Sequence, residues 1–127
     1  MASLSRSLAF ITRTVLQAMG TEKTANFDST GVDISAASGL ILVSLRARST
    51  AGTTPTMLLK LQTCETVGGS YTDVAGVTTT AAATSDLEFV VDKGKLKKFL
   101  AVNGVIGGTS TPSFVVSAEA HYFKKYI

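Results

Sequence analysis

Alternation of apolar and polar side chains dominates this chain from Gly39 onward, and a period of two can be buried on one side only if the backbone is extended. Gly39-Leu40-Ile41-Leu42-Val43-Ser44-Leu45-Arg46-Ala47-Arg48-Ser49 begins apolar on both faces and then sorts, with Ile41, Val43, Leu45 and Ala47 on one side and Ser44, Arg46 and Arg48 on the other. Beyond the stretch Thr50-Ala51-Gly52-Thr53-Thr54-Pro55, Met57, Leu59 and Leu61 alternate with Lys60 and Gln62. The two segments read as an antiparallel hairpin with one buried and one polar face.

The pattern continues to the C-terminus. Residues 71–74 and 77–80 fit short strands. Leu87, Phe89 and Val91 alternate with Asp86, Glu88 and, less cleanly, Val90 and Asp92; Lys93-Gly94-Lys95 is a tight turn; residues 98–105 are the next strand; and Phe114, Val116, Ala118, Ala120 and Tyr122 share a face of the last. Six to eight short strands at roughly ten-residue spacing, parted by Gly, Pro, Thr and Asp, predict an all-β fold: a single-domain antiparallel β-sandwich, jelly-roll-like. Its core is expected from Val43, Leu45, Leu59, Leu61, Phe89, Leu100, Phe114 and Val116. Only the first segment argues for a helix, because Leu4, Leu8, Ile11, Val15 and Met19 fall on a helical stripe. The β-branched neighbours there fit a strand equally well, and the all-β remainder favours a strand or extended arm over residues 1–20, ahead of a sandwich over 21–127.

The chain has 127 residues, 45% apolar and 17% charged, which is too apolar for disorder and long enough for one core. So little charge leaves a surface of Ser, Thr and Gly, or one covered by a partner. A net charge of +3 is a weak signal for a polyanion, and specific nucleic-acid binding is not expected. Cys64 is the one cysteine, so neither an internal disulfide nor a multi-cysteine metal site can form. Thr12-Arg13-Thr14 interrupts the apolar start before a signal-peptide core is complete, and no run approaches the roughly 18 to 20 apolar residues of a membrane helix. The expectation is a soluble chain without a membrane partner, not exported by its own signal.

Candidate chemistry is sparse. Cys64 and His121 would have to meet to act as nucleophile and base, and their positions carry no motif. Asp86, Glu88 and Asp92 share one strand face at about 7 Å spacing, a distance compatible with paired carboxylates, but half-exposed strands show the same alternation. Lys93, Lys95, Lys97 and Lys98 form the densest basic surface patch, without the aromatic series that stacks on bases. The Gly68-Gly69 and Gly107-Gly108 pairs precede strands and serve turns. No metal or cofactor is implied, and the chain reads as a non-enzyme.

Three stretches carry a resemblance: the strand and turn Cys64-Glu65-Thr66-Val67-Gly68-Gly69-Ser70-Tyr71-Thr72-Asp73-Val74, the strand Lys97-Lys98-Phe99-Leu100-Ala101-Val102, and the turn Gly107-Gly108-Thr109-Ser110-Thr111-Pro112-Ser113-Phe114. In that order they resemble small virion structural proteins of tailed bacteriophages, of the β-sandwich capsid cement or decoration type. The resemblance covers roughly the last three-fifths of the chain. It implies a protein made in the host cytoplasm that ends on the capsid surface of the virion, binds the major capsid protein as a homo-dimer or homo-trimer, and stabilises contacts between shell subunits. Arg6, Leu8, Phe10, Ile11 and Arg13 are then the candidate capsid contacts, since an apolar arm could lie across a neighbour. A tail or baseplate component of the same virion is one rival reading. A carbohydrate-binding module is another, against which stand the lack of Trp and the presence of only three Tyr.

Overall fold

The computed structural model describes residues 11–20, 22–66 and 68–124. They form seven strands, β1 (Ile11–Gln17), β2 (Phe27–Asp28), β3 (Val32–Asp33), β4 (Ala37–Cys64), β5 (Thr72–Thr78), β6 (Thr84–Asp92) and β7 (Phe99–Lys124), with a 3-10 turn at Lys93–Lys95. Every pairing is antiparallel.

Two of these strands are far longer than the sequence pattern suggested. β4 and β7 pair from Ala37↔Lys124 at one end to Cys64↔Phe99 at the other, with most register shifts gathered between Ser49 and Thr56. There both strands turn a corner. Gly52 (φ +110°) and Gly108 (φ +111°) take backbone angles open to glycine, and Thr54, Ser110 and Thr111 are also left-handed. Residues 37–49 of β4 lie between β6 and the C-terminal half of β7, which β1 flanks in turn. Residues 56–64 lie between β5 and the N-terminal half of β7, flanked by β2 and β3. The result is two sheets, β1–β7–β4–β6 and β2/β3–β7–β4–β5, joined through a shared and folded ribbon. That is the wiring of a jelly roll, a double-sheet all-β fold.

The expected hairpin between residues 39–49 and 57–62 is therefore replaced by one strand. Its halves do not pair with each other; each pairs with β7. Gly52 and Pro55 mark a change of direction, and the change is a corner between sheets rather than a reversal within one. Residues 71–74 and 77–80 likewise merge largely into β5.

The core follows the alternation. Val43, Leu45, Leu59, Leu61, Leu100 and Phe114 are fully buried, Val116 nearly so, and Phe89 packs partly buried against the same cluster. Ile34, Ile41, Met57 and Val102 complete it. Where the chain leaves β5, Thr79 stays buried because its hydroxyl accepts from Leu59 N at 3.0 Å and its own N–H donates to Leu59 O at 2.9 Å, so no polar group is stranded. Residues 11–17 are strand, not helix: Leu16 is buried in the common core, and the Thr14 hydroxyl meets Tyr122 Oη at 3.1 Å.

Candidate functional site

The outer face of the β1–β7–β4–β6 sheet departs from what a half-exposed sheet normally shows. In such a sheet the face opposite the core is polar. Here the register places side chains in rows across all four strands. One row is Arg13, His121, Leu42 and Val90; the next toward the corner is Val15, Glu119, Ser44 and Glu88; and at the far end Ile11 pairs with Phe123 and Leu40 with Asp92, the two pairs parted by the register shift between Ser38 and Ile41. Ile11 is 40% exposed, Val15 42%, Leu40 61%, Val90 65% and Phe123 47%. These are five of the eight large apolar side chains exposed among the described residues, so the surface is a patch rather than scatter. A shallow apolar depression of about 350 Å³ lies within it, lined by Ile11, Leu40, Leu42, Val90, His121 and Phe123 among others.

A charged band borders the patch. Arg13 grips Glu119 through two guanidinium nitrogens, Nε and Nη2, a bidentate geometry that fixes both side chains. That hydrogen bond holds the Glu119 carboxyl below its usual range, with the charges of Arg13, His121 and Arg46 adding to the effect. His121 Nε2 is 3.6 Å from Glu119. Toward the corner, Arg46 Nε meets Asp86 at 3.0 Å, beside a groove of about 650 Å³ that Arg48, Thr84, Val115 and Ser117 help to line.

A lowered carboxyl pKa stabilises the fold above the unfolded value and loses that contribution as pH falls through the folded one. Glu119 follows this rule, as do Asp33, held down by Ser35, and Asp73, held down by Gln62 and then by Lys60. The urea midpoint is therefore expected to fall on acidification through the carboxylate range. Glu119→Gln should make that fall shallower; an unchanged acid slope would show that the pair adds nothing to stability.

The residues weighed for chemistry lie apart. Cys64 is buried at the end of β4, under the loop that carries Gly69 and Tyr71; burial, with Cys64 nearby, pushes the Tyr71 phenol up. His121 is on the outer face of the other sheet. Asp86, Glu88 and Asp92 do share one face of β6, with Asp86 engaged by Arg46. Lys93 and Lys95 sit on the 3-10 turn, and Lys95 and Lys97 line a cleft of about 380 Å³ between β5 and β6 together with Asp73 and Asp92. Lys98 Nζ lies 5.6 Å from the centre of the Phe99 ring, and Lys98 and Lys93 both act on Asp33. The basic cluster is thus interleaved with acids.

Of the candidate capsid contacts, Ile11 and Arg13 belong to β1 and to the outer face just described, while Arg6, Leu8 and Phe10 lie outside the described residues. Sequence reasoning did not name Leu40, Leu42, Val90 or Phe123 as surface residues with a role. The signal was present: Leu40 and Leu42 are where the first strand is apolar on both faces, and Val90 is where the β6 alternation breaks.

No protein-family model matches the chain, and no curated protein does. Among solved structures it is similar to the VP2 subviral particle of infectious bursal disease virus, at 14% identity and a TM-score of 0.47, over 89% of this chain and 32% of that one. T=1 particles derived from the same virus are similar at 12% identity and a TM-score of 0.45, over 89% of this chain and 31% of theirs. The chain spans about a third of the length of these structures.

Proposed function

We propose that the chain is a non-enzymatic virion structural protein, a cement or decoration protein that binds the outer surface of a tailed-phage capsid and ties neighbouring major-capsid subunits together. The observation that carries the reading is the apolar outer face of the β1–β7–β4–β6 sheet. Jelly rolls serve capsid and lectin domains alike, and a fold does not choose between them. The chemistry of the exposed face supports the capsid reading. Sugars are held on aromatic platforms, whereas Ile11, Val15, Leu40, Leu42 and Val90 offer aliphatic surface with Phe123, suited to another protein. Two ion pairs beside it are committed to structure, Arg13 with Glu119 and Arg46 with Asp86. A small rigid sandwich seated at subunit junctions adds buried area in many copies without any chemistry.

In this reading Arg6, Leu8 and Phe10 contact the shell together with Ile11 and Arg13. Deleting residues 1–10 leaves β1 whole and should give a folded protein that decorates particles weakly. Cys64→Ser should decorate and stabilise them as the parent does, and a selective loss of stabilisation by a folded Cys64→Ser protein would count against a purely structural role. The reading is tested by heating particles assembled with and without the protein. Particles lacking it are expected to rupture at lower temperature, and equal rupture temperatures would overturn the cementing role.

A further inference from the structure

We infer that the outer face of the other sheet, β2/β3–β7–β4–β5, carries a binding site for a single sugar unit, between the Tyr71 ring and Asp28. The site lies on the opposite side of the sandwich from the apolar patch and does not depend on what that patch docks on.

Alternation sorts the residues. Leu61, Leu100 and Val102 point into the core, so Gln62 and Ala101, which pair with each other, face outward, as do Asp28 and its partner Asn103. Asp73 of β5 pairs with Gln62 from the other side. Tyr71 leaves the chain just ahead of β5, yet its hydroxyl reaches the turn between β2 and β3, where a Cβ on Gly31 would stand 1.9 Å from Oη. In a sheet of this strand order the ring therefore lies across β4 and β7. Beside it is a cleft of about 380 Å³ lined by Asp28, Ser29, Gln62, Gly69, Tyr71 and Ala101, a volume in the range of small-molecule sites.

The polar groups of the cleft are fixed from behind. Asp28 Oδ1 accepts from Asn103 Nδ2 at 2.8 Å, and Gln62 Nε2 donates to Asp73 Oδ1 at 2.8 Å, which leaves Asp28 Oδ2 and Gln62 Oε1 as acceptors. Ser29 Oγ accepts from Val102 N at 2.7 Å, so its own O–H is left to donate. Tyr71 Oη is buried without a hydrogen-bond partner among the described residues, a cost that a phenylalanine would avoid. Two held acceptors, a free hydroxyl donor, an unpaired phenol and an aromatic face select the ligand. An ammonium group has no acceptor to offer Ser29, and an anion would meet the Asp28 charge. A sugar hydroxyl both donates and accepts, and the apolar face of a sugar ring can lie on the Tyr71 ring. The lack of Trp speaks against a long aromatic platform, not against one sugar on one tyrosine. On a particle docked through the apolar patch, a placement that rests on the function proposed above, this site faces away from the shell.

Saturation-transfer NMR on the full chain tests the site, with the methyl glycosides of glucose, galactose, mannose and N-acetylglucosamine as probes. At least one should receive saturation from the protein, and neither tetramethylammonium nor sulfate should displace it. Asp28→Asn keeps the bond from Asn103 but turns an N–H toward the ligand in place of an acceptor. It should weaken binding about tenfold or more, the scale of a lost hydrogen bond to a charged group, with an unchanged melting temperature because Asp28 is exposed. Tyr71→Phe should weaken binding without lowering the melting temperature, which a tyrosine kept only for packing would not show. Binding of none of the four glycosides, displacement by either ion, or binding indifferent to both substitutions would overturn the site. Each of these outcomes leaves the virion reading standing, since particle heating involves no glycoside.

Discussion

Phe114→Ala should cost about 3–5 kcal/mol of folding stability, the range for truncating a fully buried aromatic ring. Phe114 has no exposed surface and stands on β7 just past the corner, opposite Ser49. Its N–H donates to Lys23 O at 2.9 Å and its carbonyl accepts from Lys23 N at 2.7 Å, which ties the connection between β1 and β2 to the same point. The cavity would open where three segments meet and none can move in without losing backbone bonds, so the upper half of the range is expected. Leu59→Ala, in the middle of the second sheet, should follow at about 2–5 kcal/mol. Urea unfolding followed by circular dichroism measures both, and a Phe114→Ala loss smaller than about 1 kcal/mol would mean that the ring does not fill the space between the sheets.

The second large effect belongs to the corner. A Cβ at Gly52 would stand 2.7 Å from Pro112 Cα, and one at Gly108 would stand 2.9 Å from both Pro55 Cα and Thr54 O. The glycine of each strand is thus in contact with the proline of the other. Gly52→Ala and Gly108→Ala each force a side chain into a left-handed backbone, at about 1–3 kcal/mol, and also press it on main chain that has no room to yield. Both variants should unfold at lower denaturant than the parent, and the double variant should fold poorly or not at all. Gly20→Ala provides the contrast, since a Cβ there meets nothing within 4 Å. If the corner variants match Gly20→Ala, the bend does not depend on close approach of the two strands.

That corner also explains what was and was not legible in the sequence. Strands and their buried faces are local properties, and the alternation at Ile41-Val43-Leu45 and at Met57-Leu59-Leu61 was enough to assign both. Whether Gly52 and Pro55 reverse the chain or only bend it depends on a matching Gly108 and Pro112 far along the chain. Neither segment carries that information alone, which is why a hairpin was expected where a folded ribbon stands. The outer-face patch was half legible. Leu40, Leu42 and Val90 break the alternation in plain sight, but that they share one surface follows only from the pairing of β4 with both β6 and β7. Ile11 and Phe123 join them through a contact between the two ends of the described chain.

A reconstruction of the intact particle tests the central claim most directly. Density for a small double-sheet domain is expected on the outside of the capsid, at the junctions between major-capsid subunits and absent from particles made without this protein. The same domain found only in the tail, or an unchanged shell surface in particles with and without the protein, would contradict it.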